Sequence, residues 1–328
     1  MSGHRRGNRL WTVLGFLAGA IATLSGPAPA HGAAAAPPKH HIKTVFIILM
    51  ENHNWTGDGS KDIRGNPKAP YINYALIPMS SYANQYYDAP HIHPSLPNYL
   101  WLEAGTNFGI RNDGPPSRNE QRTKRHLVTL LDNAKVSWKA YLENTTGEIC
   151  PLRDRGKTDP NGSPLYAVRH EPFAYFADVT DNLDRNSAYC IAHLRPFGEL
   201  ASDIRNGTLP QYVWITPNLC DDMHDTCAGS PIEHGDIWLS EHVPAILNSQ
   251  AYKDGGALFI TWDEALKGDG PIPMIVLSPF ARGGGYSNRI FYTHGSTLRT
   301  FEEIFGVKPL LRDAKVETDL SDLFAVFP

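Results

Sequence analysis

Four oxygen-bearing side chains, Glu51, Asn52, Asp263 and Glu264, stand in two adjacent pairs far apart in the chain. Hard oxygen ligands from separate segments are what a divalent cation needs. Taken singly, each acid reads equally well as a helix cap or a solvated loop residue. A second group is His91-Ile-His93-Pro94-Ser95-Leu-Pro97-Asn98-Tyr99. Pro94 and Pro97 bracket Ser95 and stiffen the turn that would present it. A serine nucleophile must be exposed and activated by a base or a metal; without that context a serine between prolines is a plain turn residue. Asn98 is placed to cap a following helix or to give an amide N–H to a ligand. The third group, Asn218 to Cys227, interleaves Asp221, Asp222, His224 and Asp225 on a short loop. Such a loop suits metal or phosphate binding, and a polar surface loop has the same composition. The fourth is Tyr292-Thr-His294-Gly-Ser296, where His294 reads as a metal ligand, a general acid or a helix-start residue.

These residues need a scaffold, and the apolar pattern supplies one. Val45–Met50, Gln211–Thr216, Ala257–Trp262 and Pro273–Leu277 are continuous apolar, β-branched or aromatic runs. Runs of that form are strands buried on both faces, typical of a parallel sheet under helices. Helical spacing occurs at 127–133, 234–248 and 296–305. Alternation of the two predicts an α/β fold: a mostly parallel central sheet with helices on both faces. In such sheets ligands bind beyond the carboxyl ends of the strands. Glu51-Asn52, Asn218 with Asp221-Asp222, and Asp263-Glu264 all follow strand ends, so they are expected to converge. Residues 106–126 and 150–190 are polar and rich in Gly and Pro, and read as insertions in a domain spanning 42–328.

The chain has 328 residues, 41% hydrophobic and 20% charged, which supports a sizeable core and excludes global disorder. Its net charge of −4 argues against a nucleic-acid binder, which needs a basic field. Basic residues 4–9, an apolar run to Leu24 and Ala28-Pro29-Ala30 have the order of a cleaved signal peptide over 1–30. The run is shorter than the ~20 residues of a spanning helix, so no stable membrane insertion is expected. Arg5-Arg6 alone does not complete a twin-arginine signal. Removing 1–30 takes three arginines and no acids, leaving −7. Residues 31–41 read as a disordered leader. The expected location is secreted or periplasmic, where cysteines oxidise. Four cysteines allow three connectivities; the nearest-neighbour one pairs Cys150 with Cys190 and Cys220 with Cys227. No C-x-x-C is present, which disfavours a zinc–thiolate site.

Together these segments resemble the bacterial phosphoesterase family of secreted acid phosphatases and phospholipases C, within the alkaline phosphatase superfamily. The resemblance is carried by Glu51-Asn52-His53 after the first strand, by His93-Pro-Ser95-Leu-Pro97-Asn98-Tyr99, by Thr261-Trp262-Asp263-Glu264, and by Tyr292-Thr-His294-Gly-Ser296 with its helix. It implies an alkaline-phosphatase-like fold and a phosphoric ester hydrolase. Ser95 is then the nucleophile that forms a phosphoenzyme, and Asn98 holds a phosphoryl oxygen. Glu51, Asn52, Ser95, Asp263 and Glu264 hold one or two divalent cations. His224 and His294 contact phosphate or protonate the leaving oxygen, with Asp222, Asp225 and His53 supporting; His93 and His234 rank no higher than supports. The implied partner is a small phosphorylated substrate, with a phospholipid surface left open.

Phospholipase C members often continue Asp-Glu into His-Gly-Gly, whereas Asp263-Glu264 runs into Ala265-Leu-Lys-Gly. This departure and the compact length favour a phosphomonoesterase. Classical superfamily members hold two cations with Asp and His where this chain offers Glu51-Asn52 and Asp263-Glu264, so the resemblance favours one cation, with histidines in place of a second. A phospholipase C-type phosphodiesterase and a non-catalytic binding protein are the alternatives. A Ser-His-Asp hydrolase is weaker, because no G-x-S-x-G elbow occurs.

Overall fold

The computed structural model describes residues 41–89, 91–160 and 162–328. The signal peptide at 1–30 lies outside these residues. Of the leader only His41 is described, and its amide donates to the Pro328 carbonyl.

Eight strands form one sheet: β1 (Thr44–Met50), β2 (Ser81–Ala83), β3 (Trp138–Leu142), β4 (Leu194–Pro196), β5 (Tyr212–Thr216), β6 (Gly256–Trp262), β7 (Met274–Leu277) and β8 (Tyr286–Asn288). Their order across the sheet is β8–β2–β7–β6–β1–β5–β3–β4. β1 lies between β5 and β6 and is parallel to both. Every residue of β1, β5 and β6 is buried. That burial explains why these three strands are continuous apolar runs with no polar face. β7 departs from the pattern: it is antiparallel to β6 and to β2. Its apolar run resembles the others, but its carboxyl end at Ser278 faces away from theirs. The sheet is therefore mostly parallel, with one reversed strand.

Four longer helices pack around it: α1 (Ser95–Ala104), α2 (Leu127–Ala134), α3 (Pro231–Asn248) and α4 (His294–Ile304). Side chains along a strand alternate between faces, and this assigns the helices. Phe301 of α4 packs on Phe259 and Tyr212. Those two are in register with Ile47 and Val45, so α4 covers the odd-numbered face of β1. Gly235 of α3 covers the other face: a Cβ there would lie 2.8 Å from Met50 Cε and 2.4 Å from Met223 Cγ. A glycine is thus required where α3 presses Met223, and with it the loop after β5, against the sheet. α3 starts at Pro231, three residues before the apolar spacing indicates, because proline is well suited to the first turn. α4 starts at His294, with Thr293 as its capping residue. None of the described helices is long and apolar enough to cross a membrane.

Both disulfides have the nearest-neighbour pairing, Cys150–Cys190 and Cys220–Cys227. The first closes a 40-residue excursion that contains the small antiparallel pair Arg155–Thr158 and Pro164–Tyr166. A second small pair, parallel, joins Tyr86–Tyr87 to Tyr292–Thr293.

Candidate active site

The site forms where β1, β5 and β6 end side by side. The Glu51 amide donates to the Asp222 carbonyl at 2.7 Å, and the Asp263 amide donates to the Met50 carbonyl at 3.0 Å. These bonds tie the loop after β5 and the end of β6 to the end of β1. Asn52 has φ of +43°, a left-handed conformation that asparagine tolerates better than most side chains. That turn lets both Glu51 and Asn52 face the site. The Asn52 amide N–H donates to Asp263 Oδ1 at 3.1 Å.

Ser95 is the first residue of α1, and its Oγ donates to Glu51 Oε2 at 3.1 Å. The helix therefore begins at the serine itself, so Asn98 lies inside the first turn and does not cap it. Tyr99, one turn on, donates to Glu51 Oε1 at 2.6 Å. Asn98 Nδ2 donates to the Ile92 carbonyl at 2.9 Å and to Glu264 Oε2 at 3.1 Å. Its Oδ1 is buried without a partner among the described residues. An Asn98 N–H can reach a phosphoryl oxygen only by sharing or releasing one of these bonds. Glu264 turns toward His93, whose Nδ1 lies 2.6 Å from Oε2. Glu51, Asn52, Ser95 and Asp263 thus meet directly, while Glu264, next in the chain to Asp263, bonds Asn98 and His93 instead.

Two residues important to the site stand in the stretch between the cysteines. His170 is buried, stacks on Tyr99 at 5.5 Å, and places Nδ1 3.1 Å from Asp222 Oδ2 and Nε2 3.3 Å from Glu51 Oε1. Arg169 places Nη2 3.5 Å from His224 Nε2, and its Nε lies 3.8 Å from Asp113 Oδ2. Asp113, from 106–126, accepts the Leu96 N–H at 3.0 Å at the start of α1. Both stretches read as insertions therefore build the site. The Arg169-His170-Glu171 triplet was the available signal, but only the folded chain brings it to the strand ends.

His224 Nδ1 is 2.6 Å from Asp225 Oδ1, and its amide donates to Asp222 Oδ1 at 2.8 Å. His53 Nδ1 lies 2.9 Å from the Glu51 carbonyl, beside the site as a support. His294 is placed differently: Nε2 lies 2.5 Å from the Asp263 carbonyl and Nδ1 2.9 Å from the Tyr86 hydroxyl. Both its nitrogens are committed, and burial lowers it to about 4, so it stays neutral and holds Asp263. His234 lies on α3, and its amide donates to the Ser230 carbonyl.

The electrostatics are lopsided. Glu51, Asp222 and Asp263 are wholly buried. Burial first, then Asp263 and Asp222, pushes Glu51 well above the usual carboxylate range. Burial does the same to Asp222 and raises Asp263, and burial, then Asp263 and Asp88, pushes Glu264 up to about 10. His170 does not supply the missing charge, because burial, then Arg169 and His224, holds it well below its ordinary value. Buried carboxylates at such density need a countercharge to ionise. Asp263 Oδ2 and His170 Nε2 have no hydrogen-bond partner among the described residues. The Asn52 side-chain oxygen faces Glu51 Oε2 and Asp263 Oδ1; turned over, its nitrogen would donate to them at 2.9 and 3.2 Å. An oxygen-rich cluster with an orphaned carboxylate oxygen fits a divalent cation. Glu51, His170 and His224 also bring ligand atoms within 4.8 Å of one another.

The Phosphoesterase family model matches residues 67–308, which include Ser95, Asp263, Glu264 and His294. A phosphatidylinositol-3-phosphatase of Mycobacterium tuberculosis is 30% identical over 91% of this chain and 89% of its own length. A phosphate-repressible acid phosphatase of Penicillium chrysogenum is 29% identical over 67% of this chain, which spans only 51% of that enzyme. A Vibrio parahaemolyticus protein of the alkaline phosphatase superfamily has the same fold, with a TM-score of 0.54 at 11% identity over 88% of this chain and 73% of that one. The chain belongs to the Phosphoesterase family and is, as that membership implies, an enzyme acting on phosphoric esters.

Proposed function

We propose that the chain is an exported, metal-dependent phosphomonoesterase that works through a phosphoserine at Ser95. One observation carries this reading: the Ser95 hydroxyl, at the start of α1, donates to a buried carboxylate amid the oxygens of Asn52 and Asp263. Glu51, Asn52, Asp263 and Ser95 would hold the cation, with Glu264 adjacent. When bound, the cation neutralises these acids and lowers the pKa of the serine hydroxyl.

The chain's own residues account for the remaining steps. Ser95 Oγ attacks phosphorus in line, the P–O bond to the leaving group breaks, and the serine proton is released to water. Arg169 is placed to neutralise a nonbridging oxygen, where phosphoryl transfer needs positive charge. His224, steadied by Asp225 on Nδ1, is placed to pass a proton to the leaving oxygen. Water then attacks the phosphoserine and passes a proton back to His224. Phosphate departs, and Ser95 regains a proton from water.

The substrate reading rests on the relatives, one of which is named for a phosphatidylinositol phosphate and another for acid phosphatase activity. Leu266 and Phe291, on segments adjoining Glu264 and His294, are 42% and 55% exposed. Such side chains support a second reading, in which the phosphorylated substrate is presented at a lipid surface. Two disulfides and the signal-like N-terminus support export.

The test is hydrolysis of p-nitrophenyl phosphate and of bis(p-nitrophenyl) phosphate by the purified chain, after chelation and after metal add-back. Metal-restored turnover of the monoester, well above the diester, is expected. Faster diester turnover would move the assignment to a phospholipase C-type reaction, and turnover indifferent to chelation would remove the metal.

A further inference from the structure

A second group of metal-ligating side chains lies outside the set described above. Asp88 follows the Tyr86–Tyr87 strand, His93 precedes α1, and Asp269 lies on the loop after β6. Each offers one ligand atom, and the three atoms lie within 4.8 Å of one another. Asp88 carries the strongest sign of a missing ligand. It is 2% exposed, and neither of its carboxylate oxygens has a hydrogen-bond partner among the described residues. A buried carboxylate left wholly unpaired is costly, and a cation would satisfy it.

The surroundings prepare the other two ligands. Glu264 Oε2 accepts from Asn98 Nδ2, so His93 Nδ1 donates to an oxygen already acting as acceptor. That bond leaves the lone pair on His93 Nε2, 3.7 Å from Asp269 Oδ1. A carboxylate that fixes the tautomer of an imidazole is the usual support of a metal-bound histidine. Asp269 is held in turn by His91, whose Nδ1 lies 2.8 Å from Oδ2 and whose amide donates to Oδ1 at 3.3 Å. The His93 and Asp269 side chains are 41% and 37% exposed, so an ion can enter from solvent.

We propose that Asp88, His93 and Asp269 form a second divalent-cation site, at the rim of the catalytic centre and linked to it through Glu264. One imidazole with two carboxylates, and water completing the shell, suits zinc or a similar first-row cation better than Mg2+ or Ca2+. A cation there would place positive charge beside Glu264 and Asn98, on the solvent-exposed side of the cluster. The site goes beyond the phosphomonoesterase reading and does not depend on it.

The test is the number of Zn2+ equivalents bound by the chelator-stripped chain, measured by equilibrium dialysis with elemental analysis. Asp88→Asn is nearly isosteric and removes an unpaired buried acid, so folding is not threatened; His93→Gln changes an exposed side chain. Each is expected to lose one equivalent, both in the wild type and in a Glu51→Gln background. Unchanged stoichiometry in both variants would overturn the rim site. The Glu51→Gln change alone reports on the central cation, so the two readings can fail separately.

Discussion

Replacing Tyr99 by phenylalanine removes one oxygen and leaves the ring that stacks on His170. The lost hydroxyl donates to Glu51 Oε1 at 2.6 Å inside a fully buried cluster. That bond lowers the Glu51 pKa, against burial, Asp263 and Asp222, which raise it. Without it, protonated Glu51 competes better with a cation. A hydrogen bond to a charged group contributes about 1.5–3 kcal/mol. Carried into cation binding, that is a roughly 10- to 150-fold weaker dissociation constant. The assay is calorimetric titration of the stripped chain with the cation that best restores turnover, at two pH values. The expected result is weaker binding, with a wider gap at the lower pH because protons and cation compete for Glu51. At saturating cation, turnover should largely recover. Unchanged affinity in a folded Tyr99→Phe chain would refute the claim that Glu51 is a cation ligand oriented by Tyr99.

Removing the Cys150–Cys190 disulfide, which closes a 40-residue loop, should cost about 4 kcal/mol, against about 2 for the 7-residue Cys220–Cys227 loop, in denaturant titrations of the two Cys→Ser pairs. The larger loss should also impair turnover, because Arg169 and His170 lie inside that loop. Gly235→Ala should lower the midpoint of thermal unfolding and slow turnover, since its Cβ would meet Met223 Cγ at 2.4 Å, one residue from His224. Burial opposes the proton on His126, but hydrogen bonds to Asp178 and Glu103 outweigh it and raise the pKa. The folded chain then binds that proton more tightly than the unfolded one. Its stabilising effect is present below the unfolded value of about 6.5 and is lost as pH rises through the raised value. The stability difference between wild type and His126→Gln should therefore shrink from pH 6 upward; a constant difference would contradict the assignment.

The strands that carry the site were legible because a strand buried on both faces must be apolar throughout, as β1, β5 and β6 are. Two polar terminators, Glu51-Asn52 and Asp263, were legible for the same reason: each abruptly ends such a run, whereas Asp222 stands six residues beyond the end of β5. The direction of β7 was not, since an apolar run has the same composition whichever way it pairs. The prolines on either side of Ser95 suggest a turn there, but proline is compatible with a helix's first turn, and α1 begins at that serine. Arg169 and His170 were hidden most deeply. Their partners Glu51, Asp222 and Asp113 come from distant segments, and no local spacing encodes that meeting. His294 was legible as a residue of interest, yet only the neighbouring Tyr86 and the Asp263 carbonyl reveal that both its nitrogens are occupied.

The most direct test of the account is to trap the phosphoryl group. The metal-loaded chain would be mixed with a phosphate monoester, quenched rapidly in acid, and mapped by peptide mass spectrometry. A phosphoryl group on the peptide bearing Ser95, absent from Ser95→Ala together with turnover, is the predicted result. Sustained turnover in Ser95→Ala, or a phosphoryl group on another residue, would contradict it.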